Sequence, residues 1–223
     1  METVVIIIMC LTGLVFLLKL TCHGNAGVFV LSFLAAASVI LMTDFASSQS
    51  RTRIEAWLGQ PDIMLDTSVW LTLDVAFQIW FCFLAAKRLS GPLTKKELIA
   101  YNAALWIPGL MIFPVLSAAL TELIFSLPGV DFSVVGWSAG LGLFVALPAL
   151  ARGLRALLPE TDLRLEVMFL VSLIVLSLGI VATVNGRTAA TGTNRVEWTA
   201  LLAVICLLTG CAAAGFMLRK YKN

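Results

Sequence analysis

Three carboxylates fall inside or at the edges of long apolar runs: Asp44, Asp74 and Glu122. An ionisable side chain in such a place is costly, usually faces the interior of a helix bundle, and is a functional candidate by default. Asp74 is the sharpest case. On a helix, Asp66, Trp70, Asp74, Gln78 and Cys82 recur at i, i+4 steps and share one face. That stripe points toward protein or water and leaves Leu71, Leu73, Val75 and Phe77 for lipid or packing. With no Lys or Arg expected beside it, a desolvated Asp74 could take up and release a proton or bind a cation. The plainer reading is a hydrogen bond to a neighbouring helix that fixes packing. Asp44 and Glu122, closer to the ends of their runs, could instead reach water or pair with Arg51, Arg53 or Arg187.

Two prolines, Pro108 and Pro114, stand in the run Trp106-Ile-Pro-Gly-Leu-Met-Ile-Phe-Pro. Proline removes a backbone donor and clashes with the preceding turn, so a helix here is expected to kink. Kinked or broken helices can line transport sites, where freed carbonyls coordinate a solute. They also occur in membrane helices without such a role.

Gly136-Trp-Ser-Ala-Gly140 fits two patterns at once. As GxxxG it is a surface for close helix packing, and as GxSxG it resembles a serine nucleophile motif. His23, the only histidine, would have to serve as the base. The topology expected below puts the two on opposite sides of a core roughly 30 Å thick, so packing is the expected role. Gly210-Cys-Ala-Ala-Ala-Gly215 offers a second small-residue surface.

The elements that position these residues follow from composition. Of 223 residues, 60% are hydrophobic and 13% charged, with a mean hydropathy of +1.00. A soluble domain is nearer half apolar and a quarter charged, so a bilayer is the natural solvent. Spanning helices need roughly 20 mostly apolar residues. The sequence offers seven candidates: Val4–Leu20, Ala26–Ala46, Asp66–Ala86, Tyr101–Leu127, Phe132–Ala151, Leu165–Val184 and Trp198–Leu218. Loops are expected at Ser47–Asp62, Leu89-Ser90-Gly91-Pro92, Pro159–Asp162 and Asn185–Asn194. The fold class is therefore all-α, a multi-pass helix bundle of about seven spans forming one domain over 1–223.

Lys19, Lys87, Arg88, Lys95, Lys96, Arg152, Arg155, Arg164, Arg219, Lys220 and Lys222 collect on one side of these spans, against Arg51, Arg53, Arg187 and Arg195 on the other. The positive-inside rule makes the richer side cytoplasmic, with the N-terminus out and the C-terminus in. A signal peptide would carry its basic residues first; here Glu2 leads and Lys19 follows, so a retained helix is expected. A prokaryotic plasma membrane is the expected location.

Several chemistries lack their residues. The cysteines Cys10, Cys22, Cys82, Cys206 and Cys211 show no CxxC spacing, and all but Cys22 lie in apolar runs, so neither a disulfide nor a metal site is expected. One loop histidine cannot ligate a haem, the last span has no lysine for retinal, and no HExxH or P-loop occurs. Basic residues in short clusters give no nucleic-acid face. No cofactor and no enzymatic activity are expected. The residues favour transport of an ion or small solute along a path lined by Asp74, Gln78, Glu122, Asp44 and Trp70. The alternative is a non-catalytic subunit docking partner helices, or further copies of itself, through the glycine faces. Lys87-Arg88 and Lys95-Lys96 could meet anionic lipid head groups.

Overall fold

A computed structural model of the chain describes residues 2–48, 61–127 and 129–191. These residues form helices and short connections, with no strand among them. The helices are α1 (Glu2–Thr21), α2 (Asn25–Leu41), α3 (Thr43–Ser48), α4 (Pro61–Ser90), α5 (Lys95–Trp106), α6 (Ile112–Ser126), α7 (Phe132–Leu157) and α8 (Thr161–Thr191). The chain divides into two compact units, Met1–Arg187 and Thr188–Asn223. The second lies outside the described residues except for the end of α8, so the expected span Trp198–Leu218, with Gly210 and Gly215, is also outside them.

Five stretches are long and apolar enough to cross a membrane: Val4–Thr21, Asn25–Phe45, Thr67–Ser90, Phe132–Leu157 and Thr161–Ala182. The shorter Ile112–Ser126 is also apolar. Large apolar side chains cover the outside of the bundle; Phe33, Phe83, Trp137 and Val145 are each more than half exposed. Water would not tolerate such a surface on a monomer, but lipid does. The chain is thus a membrane-compatible helical bundle.

Three elements differ from the sequence expectations. Tyr101–Leu127 is two helices rather than one span, because the backbone leaves helical geometry from Ile107 through the turn before Ile112. Pro108 has no N–H for the carbonyl of Ala104, and Gly109 adopts φ +117°, which ordinary residues rarely do. Pro114 is harmless, since it lies in the first turn of α6, where no intrahelical donor is required. The expected loop Asn185–Asn194 is helical as far as Thr191. Leu89 and Ser90 belong to α4 rather than to the following loop, which is closed instead by a capping box at Thr94 and Glu97.

Helix α1 sits between two apolar cores. Val15 and Leu18 join Val75 and Phe81 of α4, Ala104 of α5, and Met168 and Val171 of α8. Phe16 and Leu20 join Val28 and Ala35 of α2, Ile112 of α6 and Leu147 of α7. A third cluster, Val39, Leu120, Ile124 and Val135, continues the packing of α2, α6 and α7. The break in α5–α6 therefore falls where α1 and α4 both press on it.

Candidate functional site

The site is built from the buried face of α4. Leu71, Asp74, Val75, Gln78, Phe81, Cys82 and Ala85 are all buried, the spacing of one helical stripe. Asp74 is 5% exposed and Gln78 2%. Trp70, expected on the same stripe, is 53% exposed, while its neighbour Leu71 is buried, so the covered face at this level is centred on Leu71. The side chain of Asp66 lies outside the described residues.

Asp74 faces the broken helix. Its Oδ1 accepts a 2.6 Å hydrogen bond from the backbone N–H of Leu110, and the N–H of Met111 also reaches the carboxylate. These amides belong to the turn that leads into α6 and to its N-cap residue, Met111, and a helix N-terminus favours negative charge. The carboxylate thus holds the entry to α6 from a different helix. Gly109 makes the approach possible: a Cβ there would lie 2.8 Å from Gln78 Nε2 and 3.3 Å from Asp74 Oδ1.

A cation lies on the other side of Gln78. Lys19 is 1% exposed, and its Nζ donates to Gln78 Oε1 at 3.1 Å. The ammonium also sits over the rings of Phe77 and Phe81, at 5.0 and 4.9 Å, an arrangement worth about 2 kcal/mol when desolvated. Gln78 hydrogen-bonds Asp74 as well. The result is a buried chain from Lys19 through Gln78 and Asp74 to the start of α6. The expectation that Asp74 has no basic neighbour is therefore wrong, and Lys19, counted on the basic side of the spans, is buried in the bundle. Side chains on a helix lean toward its N-terminus, which turns Lys19 back into the bundle.

One turn beyond Lys19 stands His23, 5% exposed. Its Nδ1 lies 3.2 Å from the carbonyl of Lys19, and its ring packs edge-on against Trp106, 5.7 Å away at the end of α5. Gly27 allows this placement, since a Cβ there would come within 2.9 Å of the imidazole. Burial holds the pKa of His23 below the ordinary histidine value; the hydrogen bond to Lys19 opposes this shift, and the charge of Lys19 adds to it.

Two guanidiniums lock the turn that carries His23. Arg155 of α7 donates to the carbonyl of Thr21 at 3.2 Å, to Asn25 Oδ1 at 3.3 Å, and to the carbonyl of His23. Arg164 of α8 donates to the carbonyl of Thr21 at 3.4 Å and to Thr161 Oγ1 at 2.9 Å. Both satisfy carbonyls that the end of α1 leaves free. Neither role was legible from the positive-inside count, although the i, i+4 spacing of Lys19 and His23 was a signal that the two share a face.

The remaining candidates are not part of this network. Asp44 is exposed in the first turn of α3, and Glu122 is exposed on α6; neither contributes to the hydrogen bonds around Asp74. Gly136 and Gly140 of α7 lie against Thr43, Ile40 and the carbonyl of Ala36. Ser138 donates to the carbonyl of Val135 in its own turn, at 3.0 Å. It stands about 25 Å along α7 from Arg155, which holds the His23 turn. Among the described residues, no three His, Cys, Asp or Glu side chains come together as a metal site. No protein-family model, characterised protein or solved structure matches this chain, so the functional reading rests on the geometry of this site.

Proposed function

We propose that the chain is a small transport protein of a membrane, in which protonation of Asp74 is coupled to movement of an ion or small solute past the broken helix α5–α6. One observation carries the reading: a buried carboxylate holds the backbone at the entry to α6, with a buried lysine one amide away. A purely structural bundle has little use for such a group, because apolar residues would fill the same volume at less expense in desolvation. A carboxylate that holds a half-helix more tightly while ionised gives protonation a mechanical consequence. Neutralising it weakens the grip on Leu110 and Met111 and frees the break to move. The positive-inside rule places the Lys19 end toward the cytoplasm. Lys19 already supplies a positive charge to the site, which favours a proton over a metal cation as the coupling ion.

The subunit alternative drew on the glycine faces. One of these, Gly136 and Gly140, is occupied by α2 and α3 of the same chain, which removes that argument for an outside partner. We regard the chain as having no catalytic role.

Asp74→Asn in reconstituted vesicles tests the proposal. Asparagine can still accept from Leu110, so the cap persists while the titratable group is gone. Proton uptake is read with an internal dye under an imposed potential, against a panel of small anions, cations and neutral solutes. Wild-type vesicles should take up protons with at least one solute, and the variant should not. Equal uptake by the two would sink the coupling role of Asp74.

A further inference from the structure

The broken helix has two ends, and Asp74 serves only one of them. The N-terminal end of α6 carries unpaired N–H groups and is held by Asp74. The C-terminal end of α5 carries unpaired carbonyls: Ile107 bonds Ala103, but Pro108 has no N–H for Ala104, and the break removes the donors that Leu105 and Trp106 would have used. A helix C-terminus favours a cation. His23 stands against this end, in edge contact with Trp106 and beside the carbonyl of Leu105.

The protonation state of the ring follows from its partners. The carbonyl of Lys19 can only accept, so Nδ1 carries the hydrogen. Nε2 is then a bare lone pair, and it is buried without any hydrogen-bond partner. An unpaired acceptor in a low-dielectric site is unfavourable, and a proton gained there together with a carbonyl partner would relieve that cost.

We infer that His23 is a second proton-binding group of the transport path, acting at Nε2 on the end of α5 as Asp74 acts on the start of α6. This inference rests on the transport reading above. A proton arriving at Nε2 makes the imidazolium, whose new N–H can donate to the carbonyl of Leu105; loss of the same proton restores the lone pair. The two ends respond in opposite senses. Protonating Asp74 loosens α6, whereas protonating His23 tightens α5.

The charged and titratable groups around the ring are Lys19 and Cys22 on its own side, Arg155 from α7 and Arg164 from α8. Helices α2 and α5 present Gly27 and Trp106. All of the charges are positive, so the imidazole is neutral at rest; the carbonyl of Lys19 and the carbonyl end of α5 stabilise its cation, and of these only the second belongs to the broken helix. That dependence ties the charge of His23 to the position of the broken helix.

The chain has a single histidine, so nitrogen-15 histidine labelling of the full protein gives one imidazole to follow by NMR. The expected result is a neutral ring with hydrogen on Nδ1 at about pH 8, whose Nε2 takes up a proton reversibly on acidification to about pH 4. In the vesicle assay, His23→Gln should slow proton uptake by about tenfold or more and alter its pH profile. An Nε2 that stays bare until the chain unfolds would overturn the inference, as would His23→Gln vesicles with wild-type rates and pH profile. Wild-type vesicles that take up no protons with any solute would instead remove the transport reading, and this inference with it.

Discussion

The seam between α2 and α7 and the contact of α1 and α4 with the broken helix solve the same packing problem by opposite means. At the seam, Gly136 and Gly140 let Thr43, Ile40 and the backbone of Ala36 come so close that added atoms would collide with them. Val28, Ala35 and Leu147 fill the space beside it. Dispersion and close fit hold such an interface in lipid, where no hydrophobic force separates helix from solvent. At the break, Lys19, Gln78, Asp74 and His23 are buried among hydrogen bonds and irregular backbone. One interface has a single tight arrangement; the other is held by groups whose charge can change. In the transport reading proposed above, the seam is the frame and the break is the moving part.

The largest stability effect should come from Lys19→Met, which keeps most of the stem but removes the charge. It leaves Asp74 as a buried anion without a nearby cation, and stranding one member of such a set costs about 3–5 kcal/mol. The thermal midpoint in detergent should fall sharply. In an Asp74→Asn background the same substitution should cost far less, because no charge is then stranded. Equal losses in the two backgrounds would mean that Lys19 matters only for its packing on Phe77 and Phe81.

Gly136→Val attacks the frame instead. Its Cβ would collide with Thr43 Oγ1, and overpacking of this kind costs about 1–3 kcal/mol. Stability should drop while proton uptake per folded molecule stays near the wild-type value. A loss of uptake without a loss of stability would contradict the division into frame and moving part.

How much of this arrangement the sequence discloses varies with the residue. The stripe of Asp74, Gln78 and Cys82 is visible from i, i+4 spacing alone, because burial of a helix face follows its period. The break is half visible. Pro108 marks it, but the decisive backbone belongs to Gly109, and the second proline is a harmless member of the first turn of α6. Lys19 misleads, since a lysine near the end of an apolar run normally reaches outward to water. Its backward lean along α1 brings it inward because Gln78, Phe77 and Phe81 are there to receive it. His23 is legible as a lone histidine but not as a buried one, because nothing in its neighbours announces Trp106 or Arg155. Asn185–Thr191 looks like a loop by composition and is helix all the same, since polar residues do not themselves end a helix.

The smallest predicted effect concerns the two ends of α5, which repeat the contrast on a smaller scale. The C-terminal end runs into the break. The N-terminal end is closed by a capping box in which Thr94 Oγ1 accepts from Glu97 N–H and the Glu97 carboxylate accepts from Thr94 N–H at 3.0 Å. Lys87 binds the same carboxylate. Thr94→Ala should cost about 1 kcal/mol, the usual loss of a threonine cap, without altering transport. The Glu97 carboxyl is pulled down to about 2, chiefly by its hydrogen bond to Lys87 and then by those to Thr94. Its folded value lies below its unfolded one, so the folded chain binds fewer protons between them. The contribution of Glu97 is therefore complete above the ordinary carboxylate value and fades as pH falls toward about 2. Glu97→Gln should lower the thermal midpoint slightly at neutral pH, and the gap to wild type should close on acidification. A gap that stayed constant down to the acid limit would mean that the carboxylate acts here by shape rather than by charge, and that the fixed end of α5, unlike its moving end, is insensitive to protons.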